Sequence, residues 1–317
     1  MARINRLPKS KDRYLEAQVL NIRTFNDFYA RLAKIALSIF EWENLPVSMD
    51  QQFLEWCLFN YGQAALLYAE DYGGFINTQC VTHGKLNLYY KPISLECYSI
   101  DETRLIRSVY NGLSEPKSKN EECVLVENLT KRIPTASTLE LYAMRMAECQ
   151  RSEDVNIKQQ KYPLYITTDQ KQRFTVENAY LQYDGNIPVI IGDKNGLDAT
   201  AFKAVNTGAP FVADKLQEYR MKIFNEALGF LGVNYVNEKK ERQLTTEVNK
   251  NNEEVNLNLQ AFLVPRQIAA RQFNEKYGFT GTDQEIKVKI RSDIYNIIKF
   301  EESIVKDYVS NPARDNE

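Results

Sequence analysis

Histidine is almost absent from this chain: His83 is the only one among 317 residues. A single imidazole cannot supply two metal ligands, and as a base it would need a nucleophile and an orienting partner that no pattern marks. His83 therefore reads as a surface or packing residue. Cysteine is nearly as sparse. Cys57, Cys80, Cys97, Cys123 and Cys149 make five, an odd, widely spaced set with no C-x-x-C. That speaks against a disulfide frame or a zinc knuckle and for reduced thiols packed as small hydrophobes in a cytosolic setting. No apolar run approaches the ~20 residues needed to cross a bilayer. The N-terminus, MARINRLPKSKDRY, has no apolar core and does not read as a secretory signal.

Catalytic motifs are missing as well. There is no G-x-x-x-x-G-K-[ST], hence no phosphate-cradling loop, and THGK at 82–85 keeps only a fragment of one. GDKNGLD at 192–198 has Ile191 where a calcium loop needs an acid and no closing glutamate, so it reads as an Asx-type turn. The adjacent carboxylates Glu70–Asp71, Glu121–Glu122 and Glu253–Glu254 point apart on any helix or strand. No metal or cofactor is expected. The enzymatic reading that stays open is a monomeric or dimeric metal-dependent nucleic-acid-processing enzyme using scattered carboxylates and Mg²⁺. A basic-arm DNA-binding module is a third reading.

What the chain does have is segregated charge. Net charge is only −2, yet residues 1–34 hold eight Lys/Arg against three Asp/Glu, while residues 41–84 hold six acids and no Lys or Arg. Such asymmetry suits surfaces that meet partners of opposite sign.

Periodicity predicts α+β organisation. A helix runs through Leu15–Phe40 and is stopped by Pro46, with Ser48 or Asp50 available to cap a short helix after it. Residues 73–133 are β-rich, with alternation as in KLNLYY and a turn cluster at 111–120. Pro134 opens a helix whose Ser137 and Glu140 form a capping box and whose stripe is Leu139, Tyr142 and Met146. Residues 161–204 read as a small α/β insertion. A further helix from Pro210 to Gly232 carries Val212, Leu216, Tyr219, Ile223, Ala227 and Phe230. After it come a strand-like AFLV, a helix over 266–277, a strand IKVKIRSDI and a closing amphipathic segment.

Between these lies NEKKERQLTTEVNKNNEEVN (237–256), with three apolar residues, four positive and five negative charges. One copy binds nucleic acid poorly, because affinity scales with the phosphates neutralised. Repeated by symmetry, its basic head of Lys239, Lys240 and Arg242 becomes a positive belt.

Several collinear stretches resemble the portal protein, or head–tail connector, of short-tailed phages of the phi29 type. They are IFEWENLP (39–46), PTASTLELYAMRMAE (134–148), AYLQYDGNIPVII (179–191), NTGAPFVADKL (206–216) and FLGVNYVNEKKERQLTTEV (230–248). The resemblance implies a non-enzymatic ring of twelve copies that conducts double-stranded DNA in packaging and ejection. It would sit at the head–tail vertex of the virion after assembly in the host cytoplasm. Implied partners are the packaging ATPase, major capsid and scaffolding proteins, lower collar and tail proteins and, in some members, a structural RNA, with no membrane.

The implied layout has nine parts. A basic arm (1–14) leads to a first long helix (15–46) and the first part of an SH3-like wing (47–133). A stem helix (134–160), a clip (161–204) and a second stem helix (205–232) follow. The chain then forms a channel loop (233–256), the second part of the wing (257–309) and a tail (310–317). Lys239 and Lys240 match the channel-loop lysines, with Arg242 beside them, and Lys215 matches a channel-facing stem lysine. The family's other stem lysine falls at Asn206 here. Arg3, Arg6, Lys9, Lys11 and Arg13 match the arm that meets the packaging machinery.

Overall fold

The computed structural model describes residues 10–98, 104–113, 115–160, 164–166, 202–204, 210–233 and 245–307. Side chains of residues 10–17, 158–160, 164–166, 202–204, 245–254 and a few in the last helix lie outside that description. The chain divides into two compact units, residues 1–148 with 220–317, and residues 149–219.

In the larger unit, α1 (Ser10–Leu37) ends before Phe40 rather than running on towards Pro46. Phe40 and Trp42 are buried and alternate with the half-buried Glu41 and Glu43, so the segment 40–43 forms β1. It pairs antiparallel with β10 (Lys287–Ile290), nearly 250 residues away in sequence. Asp50 caps α2 (Gln51–Tyr61), its Oδ1 accepting from the Gln52 and Phe53 amides at 2.7 and 3.1 Å. Ser48 instead donates to the Phe75 carbonyl at 2.6 Å. Gly62 closes the helix in the left-handed region at φ +76°, where a Cβ would lie 2.0 Å from the Arg132 carbonyl oxygen. No residue with a side chain fits there.

The strands β2 (Gln63–Ala69), β3 (Gly74–Thr78), β4 (Cys80–Leu86), β5 (Pro92–Tyr98), β6 (Arg104–Val109) and β7 (Glu122–Glu127) form one sheet. Its order is β3-β2-β7-β6-β5-β4, antiparallel except between β6 and β7. Ala65, Leu67, Ala69, Cys80, Leu95, Cys97, Cys123 and Leu125 fill its core. KLNLYY is not a strand throughout: residues 87–91 turn the β4–β5 hairpin. The Asn87 carboxamide oxygen accepts from the Tyr89 and Lys91 amides at 2.8 and 3.0 Å.

The longest element is α5 (Thr245–Tyr277), 33 residues with Pro265 inside it. The expected AFLV strand belongs to this helix, and so does the half of the polar stretch from Thr245 onward. A four-residue apolar run carries no period of its own. In context Val255, Phe262, Ala269, Phe273 and Tyr277 lie buried along one side. The last helix, α6 (Ile294–Asp307), buries Ile294, Ile298 and Glu301.

Three buried carboxylates tie distant segments together. Glu55 of α2 receives Arg266 of α5 in a two-pronged pair, Nη2 to Oε2 at 2.7 Å and Nε to Oε1 at 3.0 Å. Trp42 Nε1 donates to the same carboxylate at 2.9 Å. Arg266 also donates to the Phe262 carbonyl at 2.8 Å and to Asn128 Oδ1 at 3.1 Å, and Phe40 lies 4.4 Å from its guanidinium. Glu122 of β7 takes Lys276 of α5 at 2.7 Å. Glu301 of α6 takes Arg31 and Lys34 of α1 at 3.1 and 2.6 Å. Burying an ion costs several kcal/mol that only a well-placed partner offsets, so each pair fixes the relative position of its two elements.

All five cysteines are buried and unpaired. Burial pushes the Cys57 thiol up to about 12 and raises Cys80 well above its usual value. Cys123 is raised by the Cys97 thiol it contacts and then by burial.

Two measurements check this frame. Glu55→Ala leaves a guanidinium buried without its carboxylate and should cost about 3–5 kcal/mol. Glu55→Leu combined with Arg266→Met removes both charges and should recover most of that loss in urea denaturation. At Cys57, Cys80 and Cys123 the folded chain holds protons that the unfolded chain releases near pH 8.5. That stability is fully present below about pH 8.5 and is lost as the pH rises towards the folded Cys57 value of about 12. The melting temperature should fall across this window, and a thiol reagent at pH 8 should label the protein only after denaturant is added.

Candidate functional site

Three helices concern the segment that carries Lys239, Lys240 and Arg242, which lies in the chain between the second and the third. The first, α3 (Ala136–Gln160), begins one residue before Ser137. The backbone carbonyl of Thr135, and not a Ser137 side chain, starts it by accepting from the Thr138 and Leu139 amides at 3.1 and 3.2 Å. Asn128 fixes Thr135 in turn, donating to its hydroxyl at 2.7 Å while holding Arg266. The cap therefore belongs to the same buried network as the Glu55–Arg266 pair. Leu139, Ala143 and Met146 form the buried stripe of α3.

The second helix, α4 (Ala213–Phe230), buries Ile223, Phe224, Ala227 and Leu228 completely. Tyr142 of α3 meets Phe230 with ring centroids 6.4 Å apart, and Arg145 pairs with Glu226 at 3.1 Å. Burial and then the charge of Glu226 push the Tyr142 hydroxyl above its ordinary value. Phe230 passes the contact on to Phe262 of α5 at 5.9 Å, edge to face.

In the smaller unit, Asn156 of α3 clamps the entry of α4. Its amide donates to the Pro210 carbonyl at 2.9 Å, and its oxygen accepts the Val212 amide at 3.0 Å. Helix N-termini leave amides without partners, and this side chain, supplied from another helix, satisfies one of them. No sequence pattern marks Asn156. Strands β8 (Leu164–Ile166) and β9 (Phe202–Ala204) pair antiparallel, with Lys203 opposite Tyr165.

The chain leaves α4 through a turn in which the Leu231 and Val233 amides donate back to the Ala227 and Leu228 carbonyls at 3.1 and 2.9 Å. Gly232, at φ +77°, is pressed against α5: a Cβ there would lie 2.4 Å from Leu259 Cα and N. Asn258 of α5 donates to the Gly229 carbonyl at 2.9 Å. The exit of α4, just before the basic segment, is thus fixed to the middle of α5. The close approach of Gly232 is the feature that FLG carried in the sequence without disclosing what it approached.

Of the candidate residues, Lys215 lies exposed in the first turn of α4. Lys11 and Arg13 belong to the backbone of α1, which begins at Ser10 rather than at residue 15. Arg3, Arg6, Lys9, Asn206, Lys239, Lys240 and Arg242 lie outside the described residues, as does the 192–198 turn. His83 is on β4, half-exposed, with Nδ1 3.7 Å from Glu96. Among the described residues, no group of three His, Cys, Asp or Glu side chains is placed to hold a metal ion, and no helix is long and apolar enough to cross a membrane.

The family described as Phage Connector (GP10) matches residues 9–295. Among solved structures, the chain is similar to the portal and tail of native bacteriophage P68, at 14% identity and a TM-score of 0.48 over 97% of this chain and 100% of that one. It is also similar to the neck of an empty GTA particle, at 10% identity and a TM-score of 0.34 over 94% and 87% of the two chains. The sequence match alone decides the assignment, because it runs through every element from α1 to β10: the chain belongs to the phage connector family.

Proposed function

We propose that this head–tail connector works as a closed ring of twelve copies whose axial channel passes double-stranded DNA during packaging and ejection. Lys239, Lys240 and Arg242 face that channel, with Lys215 lower on the wall. Its place is the head–tail vertex of a virion, reached after assembly in the host cytoplasm. A separate packaging ATPase supplies the energy, and the chain itself is structural. The capsid and scaffolding proteins meet the head side, and the lower collar and tail proteins meet the other. In this reading α3 and α4 are the stem, residues 161–204 the clip, and the six-stranded sheet with the α5 end the SH3-like wing. The N-terminal arm, Arg3 to Arg13, contacts the packaging machinery, including a structural RNA where one is used.

The observation that carries this reading is the mounting of the basic segment. Gly232, at the exit of α4, is pressed against Leu259 of α5, and the lysines follow within a few residues in the chain. A conduit must not grip DNA, so a few positive rings on an otherwise acidic wall suit it: contacts with phosphates are then sequence-independent and weakened by salt. Twelve copies would set about two dozen Lys239 and Lys240 charges around the axis, several times the ~6–10 phosphate contacts that already make binding strongly salt-dependent.

Electron microscopy of the purified protein tests the ring: twelve-fold particles with an axial hole are expected. Monomers or dimers with Mg²⁺-dependent cleavage of DNA would instead establish the nuclease reading. For the loop, Lys239→Ala with Lys240→Ala should leave the ring assembled and let packaged DNA leak. Full-length DNA retention by the double variant would remove the lysines from the clamp.

A further inference from the structure

Two helices of the larger unit expose apolar faces that nothing among the described residues covers. On α3, Leu141 is 57% exposed and Met144 is 55% exposed, on the side opposite the buried Leu139, Ala143 and Met146. On α5, Leu257 is 73%, Val264 42% and Ile268 40% exposed, and Ala261 between them is exposed too. Residues 257, 261, 264 and 268 are spaced by four, three and four, so they share one stripe, as residues 141 and 144 do. Each stripe then ends in a charge. Glu148 follows Met144 by four residues and is exposed, while Arg271 follows Ile268 by three and is exposed. The signs are opposite. Among the described residues, the ion pair of Arg271 is a long, solvent-exposed one with Glu275 at 3.8 Å.

We propose that the Leu141–Met144–Glu148 face of α3 in one copy packs against the Val264–Ile268–Arg271 face of α5 in the next copy. With the helices parallel, Leu141 meets Val264, Met144 meets Ile268, and Glu148 meets Arg271. The spacings of three then four on α3 and four then three on α5 let the ridges of one helix enter the grooves of the other. The two faces differ, so the contact is heterologous: every copy offers one face to its left and the other to its right, and repetition closes a ring. The reversed direction would set Glu148 beside Val264 and leave Arg271 with Leu141, so charge selects the parallel one. Leu257 and Ala261 extend the stripe beyond the contact towards the start of α5. The proposal rests on the ring reading and names the surfaces that build it.

Charge reversal on the full-length chain tests it, read as the concentration at half-assembly in sedimentation velocity, with circular dichroism confirming that each variant folds. Glu148→Arg and Arg271→Glu alone should each raise that concentration roughly five- to tenfold or more, as a like-charge pair replaces an ion pair at every contact. Combined, they restore the pair with its signs exchanged and should return to within about twofold of the parent. Leu141→Asp or Ile268→Asp should yield folded monomers. If the parent forms rings and the single reversals assemble like it, or the combined variant stays as weak as either single one, this contact is wrong while the ring stands. If the parent never exceeds a monomer or dimer, the ring reading itself fails, and this proposal with it.

Discussion

The Arg266 guanidinium, buried against Glu55, joins segments that lie 211 residues apart. Neither charge can be left behind in the core without its partner, so α5 has one acceptable register along the fold. Through Trp42 the pair holds β1, through Asn128 the end of the sheet, and through Thr135 the first turn of α3. Ten residues further along α5, about 15 Å at 1.5 Å per residue, Lys276 repeats the device with Glu122. A helix pinned at two such points is a rigid beam. Leu259, Asn258 and Phe262 are carried on it, and these residues place the exit of α4.

That chain of dependence bears on the work of a connector. In the ring we propose, the chain that leaves α4 must start from a fixed point, because an error there would be repeated in every copy. The fixed parts are built from contacts that tolerate little variation: a glycine with no room for a Cβ, a two-pronged ion pair, and the edge-to-face Phe230 and Phe262 rings. Polar chemistry in the interior serves this frame. The buried thiols follow the same logic, being small apolar packing for the sheet.

Much of the fold was legible from short-range pattern. The helices over α3 and α4, the Asp50 cap and the stop at Gly232 follow from periodicity and from the few residues that can end a helix. Other elements were hidden because their causes are distant. Phe40–Glu43 continues a helical apolar pattern, yet it becomes a strand because β10 arrives with a matching edge. AFLV looks like a strand in isolation and is helical because Phe262, Arg266 and Phe273 each find a partner on one side. The half of the polar stretch from Thr245 onward is helix too, which shortens the segment that can be a loop to the part holding the basic residues.

The sequence by itself determined the family, the α+β character, the absence of catalytic motifs and the concentration of positive charge at Lys239, Lys240 and Arg242. These properties are local or additive, written in residue type and spacing. Only the tertiary structure decided which apolar residues serve the core and which stand outside it. Leu139 and Leu141 are two positions apart in one helix and equally apolar, yet the first is sealed and the second is more than half exposed. Burial is a property of what the rest of the chain brings alongside, and that is settled by pairings hundreds of residues long.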